Sequence, residues 1–213
     1  ALLEHPATAI VDFTGSPQFG EWIERNCSEK QVYTETAGCN SVVIESTDDL
    51  QAMASAIAHS LCQASAQMCT SVQNIHIPDD GIEVAGRSVS FDEVAAEIVA
   101  AVERYLANPQ VLCGTLVDDS ILATIGRYRG LAAEYGRLLR DSGPLEYPDF
   151  PRARTASPLI LEVDEQAREI YRNEIFGPVS FLIRGASAED CLRDATCNAG
   201  ERGAITSHVY SVN

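Results

Sequence analysis

The sequence has no run of about 18 apolar residues, which is the length that a membrane-spanning helix requires. Its first residues carry neither a basic segment nor a long apolar one, so we do not expect a signal peptide. Internal repeats and low-complexity tracts are also missing. The chain has 213 residues, of which 46% are hydrophobic. It is therefore long enough to bury a core as one large domain or two small ones.

Positive charge is scarce. The chain has 15 basic and 31 acidic residues, for a formal net charge of -16. A surface of this sign repels phosphate backbones, which argues against nucleic-acid binding. Solubility is the ordinary consequence of such a charge. We therefore expect neither a nucleic acid nor a membrane as a partner.

No Cys-x-x-Cys pair occurs among the seven cysteines, and the four histidines lie far apart. These spacings indicate neither a zinc ribbon nor a thioredoxin motif, and we predict no metal site. An odd number of irregularly spaced thiols also fits a reducing cytosol better than a disulfide framework. We therefore expect a cytoplasmic protein.

Short apolar segments alternate with helical ones along the chain. Strands are predicted at 7–13, 31–35, 40–45, 72–78, 112–116, 159–163, 179–184 and 204–211. Helices are predicted at 18–28, 47–66, 91–107, 120–140 and 166–171, and a last one begins near Ser187. Ser90 and Glu93 form a capping box at the start of the third helix. This alternation predicts an α/β fold with a largely parallel sheet.

Cys69 is a candidate nucleophile. It follows the predicted helix over 47–66 and precedes the strand over 72–78, so it lies in a connecting loop, where reactive groups are often held. A free cysteine is also commonly a small core residue, and this alternative stays open. Because the thiolate is the attacking species, a nucleophilic cysteine needs a base or another group that favours the thiolate.

Glu35 is a candidate for that base. It stands at the end of a predicted strand among small and apolar residues. A carboxyl in such surroundings is partly desolvated, which suits a general base. The alternative is a surface glutamate at the edge of a strand.

Two turns carry residues that suit a cofactor. Gly15 and Ser16, with Gly20 beyond them, lie where a strand turns into a helix, and such a turn can present backbone N–H groups to a phosphate. Glu174 and Phe176 precede a Gly-Pro turn. A carboxylate can accept hydrogen bonds from ribose hydroxyls, and a ring can steer a flat cofactor. Ordinary turns without a ligand are the alternative for both segments.

Taken in chain order, these segments resemble the signature segments of the aldehyde dehydrogenase superfamily. Residues 13–16 with Gly20 are similar to its phosphate-side turn, and residues 35–40 to its glutamate motif. Residues 67–69 are similar to its cysteine motif, and residues 174–178 to its Glu-x-Phe-Gly-Pro segment. Within the superfamily, residues 34–44 and 67–70 most resemble the phenylacetic acid degradation aldehyde dehydrogenases of bacteria.

The resemblance implies a three-layer α/β catalytic domain and a function. Cys69 would attack a small aldehyde, and the product acid would be released through a thiohemiacetal and a thioester with Glu35 as general base. NAD or NADP would be held by Gly15, Ser16, Gly20, Glu174 and Phe176. The implied substrate is a semialdehyde from aromatic ring cleavage, and the full-length protein would form homo-oligomers.

The resemblance also implies how the chain divides. Residues 1–31 would be a remnant of the dinucleotide-binding domain, and residues 32–213 a catalytic domain that is incomplete at its C-terminus. The earlier part of the cofactor domain, with an asparagine of the oxyanion hole, has no counterpart here, so we expect the isolated fragment to be inactive.

The chain departs from the family pattern at several positions. Residues 36–39 replace the frequent Leu-Gly-Gly-Lys, Ala66 replaces a glycine and Pro17 replaces a threonine. We expect these changes to affect loop flexibility and cofactor preference, while the nucleophile and the base remain.

Two other functions stay open at this point. One is a CoA-acylating aldehyde dehydrogenase, in which a thiol replaces water in the second step, although retention of Glu35 argues against it. The other is a non-enzymatic structural relative, which would have an unreactive Cys69.

Overall fold

The computed structural model describes residues 2–36, 38–108 and 111–212. The helices within these ranges are α1 (Pro17–Asn26), α2 (Leu50–Cys62), α3 (Phe91–Leu106), α4 (Ser120–Tyr135), α5 (Arg168–Tyr171) and α6 (Ala188–Arg202). The strands are β1 (Ile10–Thr14), β2 (Gln31–Glu35), β3 (Asn40–Ile44), β4 (Ser46–Thr47), β5 (Val72–Pro78), β6 (Ile82–Val84), β7 (Arg87–Val89), β8 (Gly136–Arg140), β9 (Leu159–Asp164), β10 (Val179–Gly185) and β11 (Ser207–Tyr210). Two short 3₁₀ turns lie at Gln63–Ala66 and Glu165–Ala167.

A six-stranded sheet in the order β11-β3-β5-β10-β9-β8 forms the centre of the molecule. Its strands run parallel except β8, which is antiparallel to β9. At the middle of the sheet Leu182 of β10 pairs with Ile75 of β5. The predicted, largely parallel sheet is therefore confirmed.

Helices cover both faces of this sheet. On β3, Val42 and Ile44 pack into a core with α2 and α3, whereas Val43 points the other way and packs against Cys191 and Ala195 of α6. Further along the same face, β9 and β10 pack against α4 and α5. Strands that are covered on both sides are apolar almost throughout, which explains their continuous apolar runs. The architecture is the three-layer α/β fold that was predicted.

The first two strands form a separate sheet. β1 and β2 pair in parallel with Thr14 opposite Glu35, and α1 packs on them through Ile23 and Cys27. Because both strands run in the same direction, their carboxyl ends meet at one edge. The predicted division of the chain at residue 31 stays a prediction.

The predicted strand at 112–116 is wrong, because the segment has no regular secondary structure. Side chains and one loop carbonyl, not a neighbouring strand, bind its backbone groups. The Tyr147 hydroxyl accepts from Cys113 N at 2.9 Å, and the Gln67 amide donates to Thr115 O at 2.9 Å. Leu116 N donates to Arg154 O, in the loop that precedes β9, at 2.8 Å.

The predicted helix at 120–140 is wrong beyond Tyr135, where the chain enters β8. Gly136 pairs with Val163 of β9, and a Cβ at Gly136 would lie 1.9 Å from the carbonyl oxygen of Glu162. Only glycine allows this close approach, so Gly136 ends the helix and starts the strand.

The small three-stranded sheet β4-β6-β7 was not predicted either. Among the described residues, no helix is long and apolar enough to cross a membrane.

Candidate active site

A cleft of about 570 Å³ opens at the edge where β1 and β2 end. It is lined by Thr14, Gly15, Ser16, Pro17, Glu35, Thr36, Cys69, Glu174, Phe176 and Ile205. Six of the seven predicted site residues are in this lining, although they come from four separate parts of the chain. The exception is Gly20, which is buried one turn into α1, where a Cβ would lie 2.3 Å from Thr36 Cγ2. Gly20 thus allows α1 to pack closely behind the cleft.

A strained turn delivers Cys69 to the cleft. Ala64, Ser65 and Ala66 have φ angles of 52°, 53° and 51°, in the left-handed region that residues with a Cβ seldom adopt. The buried Ser65 hydroxyl lies within hydrogen-bonding distance of two carbonyls, Cys113 O at 3.1 Å and Gly114 O at 3.2 Å. Strain of this kind persists only where the surroundings hold it and is common at functional sites.

Asn40 ties the Cys69 loop to the central sheet. Its side chain is fully buried at the start of β3. The amide Nδ2 donates to Cys69 O at 2.7 Å and to Ser71 O at 2.9 Å. The Oδ1 atom accepts from Ile205 N at 3.0 Å and Thr206 N at 2.9 Å. This role of Asn40 was not predicted from the sequence, and no local pattern indicates it, because its partners lie at least 29 residues away along the chain.

Glu35 lines the cleft at the end of β2, and its backbone carbonyl accepts from Gly15 N at 3.1 Å. Its side chain is exposed. The expectation that this carboxyl is partly desolvated is therefore wrong for the described residues. The physical reason is its place in a two-stranded sheet, where the carboxyl end of β2 opens into the cleft.

Glu174 is half-buried and hydrogen-bonded to the backbone N–H of Gly38. Burial raises the pKa of this carboxyl, while the Gly38 hydrogen bond partly opposes the shift. A Cβ at Gly38 would lie 2.6 Å from Cys69 O and 2.9 Å from Glu174 Oε1. Position 38 therefore requires glycine, because it contacts both the Cys69 loop and this carboxylate.

The lining residues fit a nicotinamide dinucleotide. Glu174 offers carboxylate oxygens to hydroxyl groups, and the Phe176 ring, 46% exposed, offers a flat apolar surface. Ser16 is the N-cap of the ten-residue helix α1, whose N-terminus suits a phosphate. This set of a carboxylate, an aromatic ring and a helix N-terminus matches the ribose, nicotinamide and phosphate groups of such a molecule.

Metal ligands do not cluster in the part of the chain that the structure describes, where no group of three His, Cys, Asp or Glu side chains could hold an ion. The seven cysteines are free thiols, of which Cys69 and Cys197 are exposed. Cys69 is thus an accessible thiol in a cleft, and Cys197 is an accessible thiol outside its lining.

The family model described as the aldehyde dehydrogenase family matches residues 1–211. The chain belongs to this family. A 1-pyrroline-5-carboxylate dehydrogenase of Bacillus thuringiensis (strain Al Hakam) is 28% identical over 224 residues, which cover 100% of this chain and 40% of that protein. The chain thus spans about two fifths of the length of the curated relatives that it matches.

Solved structures agree with this family. A crystal structure of NAD-dependent aldehyde dehydrogenase from Burkholderia multivorans has a TM-score of 0.94 and 45% identity, and the match covers 100% of this chain and 38% of that one. A 1-pyrroline-5-carboxylate dehydrogenase from Thermus with bound NAD has a TM-score of 0.74 at 23% identity, covering 100% of this chain and 40% of that one. The second likeness shows the fold alone.

Proposed function

We propose that this chain carries the nucleophile, the general base and part of the cofactor site of a dehydrogenase that oxidises a small aldehyde to a carboxylic acid. The single observation that carries the proposal is the meeting of Cys69, Glu35 and Glu174 in one cleft. The family and the dehydrogenases named among its relatives support an oxidoreductase acting on aldehydes.

In the proposed reaction the Cys69 thiolate attacks the aldehyde carbon and forms a thiohemiacetal. The backbone N–H of Cys69 stabilises the oxyanion in this proposal. The carbonyl of the same residue is held by Asn40. Bound NAD⁺ or NADP⁺ would supply the acceptor for the hydride that leaves that carbon. The acyl group then remains on Cys69 as a thioester.

Glu35 completes the reaction by taking a proton from water. The resulting hydroxide adds to the thioester carbon, and the C–S bond breaks to release the carboxylic acid and the Cys69 thiolate. Glu35 then returns its proton to the solvent. The exposed position of Glu35 on the cleft is compatible with access to water. Glu174 binds the ribose hydroxyls, and Phe176 positions the nicotinamide ring.

The substrate proposed is a semialdehyde. Resemblance in the glutamate and cysteine motifs favours a ring-cleavage product, as in phenylacetate catabolism. The relatives named 1-pyrroline-5-carboxylate dehydrogenase favour an amino-acid semialdehyde instead. We further propose a cytoplasmic, homo-oligomeric protein, and the free thiols are compatible with that location.

The test is aldehyde-dependent reduction of NAD⁺ and NADP⁺ by the full-length protein, with both kinds of semialdehyde and with or without CoA. We expect turnover that is lost in Cys69→Ser and kept in Cys197→Ser, the matched variant at the other exposed thiol. If acyl-CoA is the product, the second step is transfer of the acyl group to CoA and not hydrolysis. Failure with every aldehyde and both cofactors would contradict a dehydrogenase.

A further inference from the structure

Gln73 is a buried polar residue of β5 whose side chain faces the Glu174 segment. It is 4% exposed. Its Oε1 accepts from Ile175 N at 2.7 Å, and its Nε2 donates to Tyr171 O at 2.9 Å and Asn173 O at 3.0 Å. A single amide therefore holds three backbone groups, two before Glu174 and one directly after it.

A second set of contacts keeps this amide in place, beginning with Asn74, whose Oδ1 accepts from Gln73 Nε2 at 3.2 Å. Cys39 Sγ accepts from the side-chain amides of Asn198 at 3.1 Å and Asn74 at 3.5 Å. Asn74 Nδ2 also lies 3.1 Å from Tyr171 O, next to the contact made by Gln73. Burial raises the pKa of Cys39 to about 11, so the thiol stays neutral and takes part as a hydrogen-bonding group. The segment therefore rests on a buried network of side chains.

The same network reaches the Glu174 carboxylate. Cys39 is the chain neighbour of Gly38, whose backbone N–H bonds to that carboxylate. The Glu174 main chain is thus held through Gln73, and its side chain through Gly38. Burying an amide is costly unless its groups are bonded, and here the bonds go to the backbone that carries Glu174.

We propose that Gln73 is a positioning residue: it fixes the main chain at Asn173 and Ile175 and so pre-organises the Glu174 carboxylate for the hydroxyls of its ligand. The inference rests on the proposed function, which gives Glu174 a dinucleotide to bind. A residue that must meet a ligand in one geometry benefits from supporting contacts of this kind.

The test compares Gln73→Leu, Glu174→Gln and the double variant of the full-length protein. Calorimetric titration gives the Kd for NAD⁺, and steady-state kinetics separate KM from kcat. We expect Gln73→Leu to raise the Kd and KM for NAD⁺ on the order of tenfold. Iodoacetamide labelling of Cys69 should keep its rate. The double variant should bind NAD⁺ no more weakly than Glu174→Gln alone, because both substitutions remove the same contribution, that of the Glu174 carboxylate to NAD⁺ binding.

Ser180→Ala is the matched control for a buried polar change in the same sheet. Ser180 is fully buried, precedes the residue of β10 that pairs with Asn74, and its hydroxyl has no hydrogen-bond partner among the described residues. It should leave NAD⁺ binding unchanged. Hydrogen exchange at the Ile175 amide gives a readout that needs no ligand, and Gln73→Leu should accelerate it while Ser180→Ala does not.

The outcomes distinguish the positioning role of Gln73 from the proposed binding of NAD⁺ by Glu174. Unchanged exchange at Ile175, or losses in NAD⁺ affinity that add fully in the double variant, would overturn the positioning role of Gln73. Faster exchange in Gln73→Leu with normal NAD⁺ binding by Glu174→Gln would uphold the positioning of the segment and remove Glu174 from the proposed cofactor site.

Discussion

Replacement of Asn40 should damage both the stability of the protein and the placement of Cys69. Its buried amide joins four backbone groups, two in the Cys69 loop and two in the segment before β11. Asn40→Ala removes the four contacts together. Asn40→Asp keeps the two acceptor contacts but places a carboxylate against Cys69 O and Ser71 O.

The size of the effect follows from these contacts. A buried hydrogen bond contributes about 1 kcal/mol net, and a buried group left without a partner costs about 1–3 kcal/mol. Asn40→Ala should therefore lower the free energy of unfolding by about 2–4 kcal/mol. Asn40→Asp should be no better, because the retained contacts are offset by a buried charge. Ser41→Ala, at the next buried position of β3, should change the free energy by about 0.5 kcal/mol or less, because its hydroxyl has no hydrogen-bond partner among the described residues.

Urea denaturation measures the stability, and timed iodoacetamide labelling with peptide mass analysis measures the loop. In Asn40→Ala the labelling rate of Cys69 should rise severalfold, since its carbonyl is no longer held. The other exposed thiol, Cys197, should keep its rate. The reasoning is refuted if Asn40→Ala costs no more stability than Ser41→Ala and Cys69 reacts as in the wild type.

Three further substitutions test other parts of the structure. Burial lowers the pKa of His76 from 6.5 to about 4. Between pH 6.5 and pH 4 this side chain therefore binds a proton in the unfolded chain but not in the folded one. The free energy of unfolding should thus fall with pH from 6.5 to 4, by about 3 kcal/mol for this group. His76→Phe should remove that share of the acid sensitivity in urea denaturation at pH 7 and pH 4.5; an unchanged pH dependence would contradict it. Gly38→Ala should displace the Cys69 carbonyl and Glu174 and weaken both Cys69-dependent turnover and NAD⁺ binding, whereas wild-type kinetics would argue against the close contact. Gly136→Val should destabilise the β8–β9 pairing because its Cβ meets a backbone carbonyl, and a melting temperature equal to that of the wild type would refute this.

Local patterns predicted much of the fold. The capping box of Ser90 and Glu93 forms as expected at the start of α3. The apolar segments at 159–163 and 179–184 were predicted as strands, and they form β9 and β10 of the central sheet. β8 was missed because its pairing depends on Gly136 approaching the β9 backbone, a long-range contact that helical periodicity does not contain.

The candidate site was less accessible to such reasoning. Motif resemblance selected Cys69 and Glu174, and both line the cleft. Their supports, Asn40 and Gln73, act through hydrogen bonds to backbone groups 29 to 166 residues away in sequence, so no local pattern indicates them. The sequence left open whether Glu35 is desolvated or exposed, because the apolar character of its chain neighbours does not determine what packs over its carboxyl.

In the proposed reaction, Cys69 carries an acyl group that Glu35 helps to release. The measurement is peptide mass analysis of the full-length Glu35→Gln variant after incubation with NAD⁺ and an aldehyde that the wild-type protein oxidises. We expect an acyl adduct on Cys69 that accumulates in Glu35→Gln, is scarce in the wild type and is absent in Cys69→Ser. An adduct on another cysteine, or full turnover by Glu35→Gln without an adduct, would contradict it.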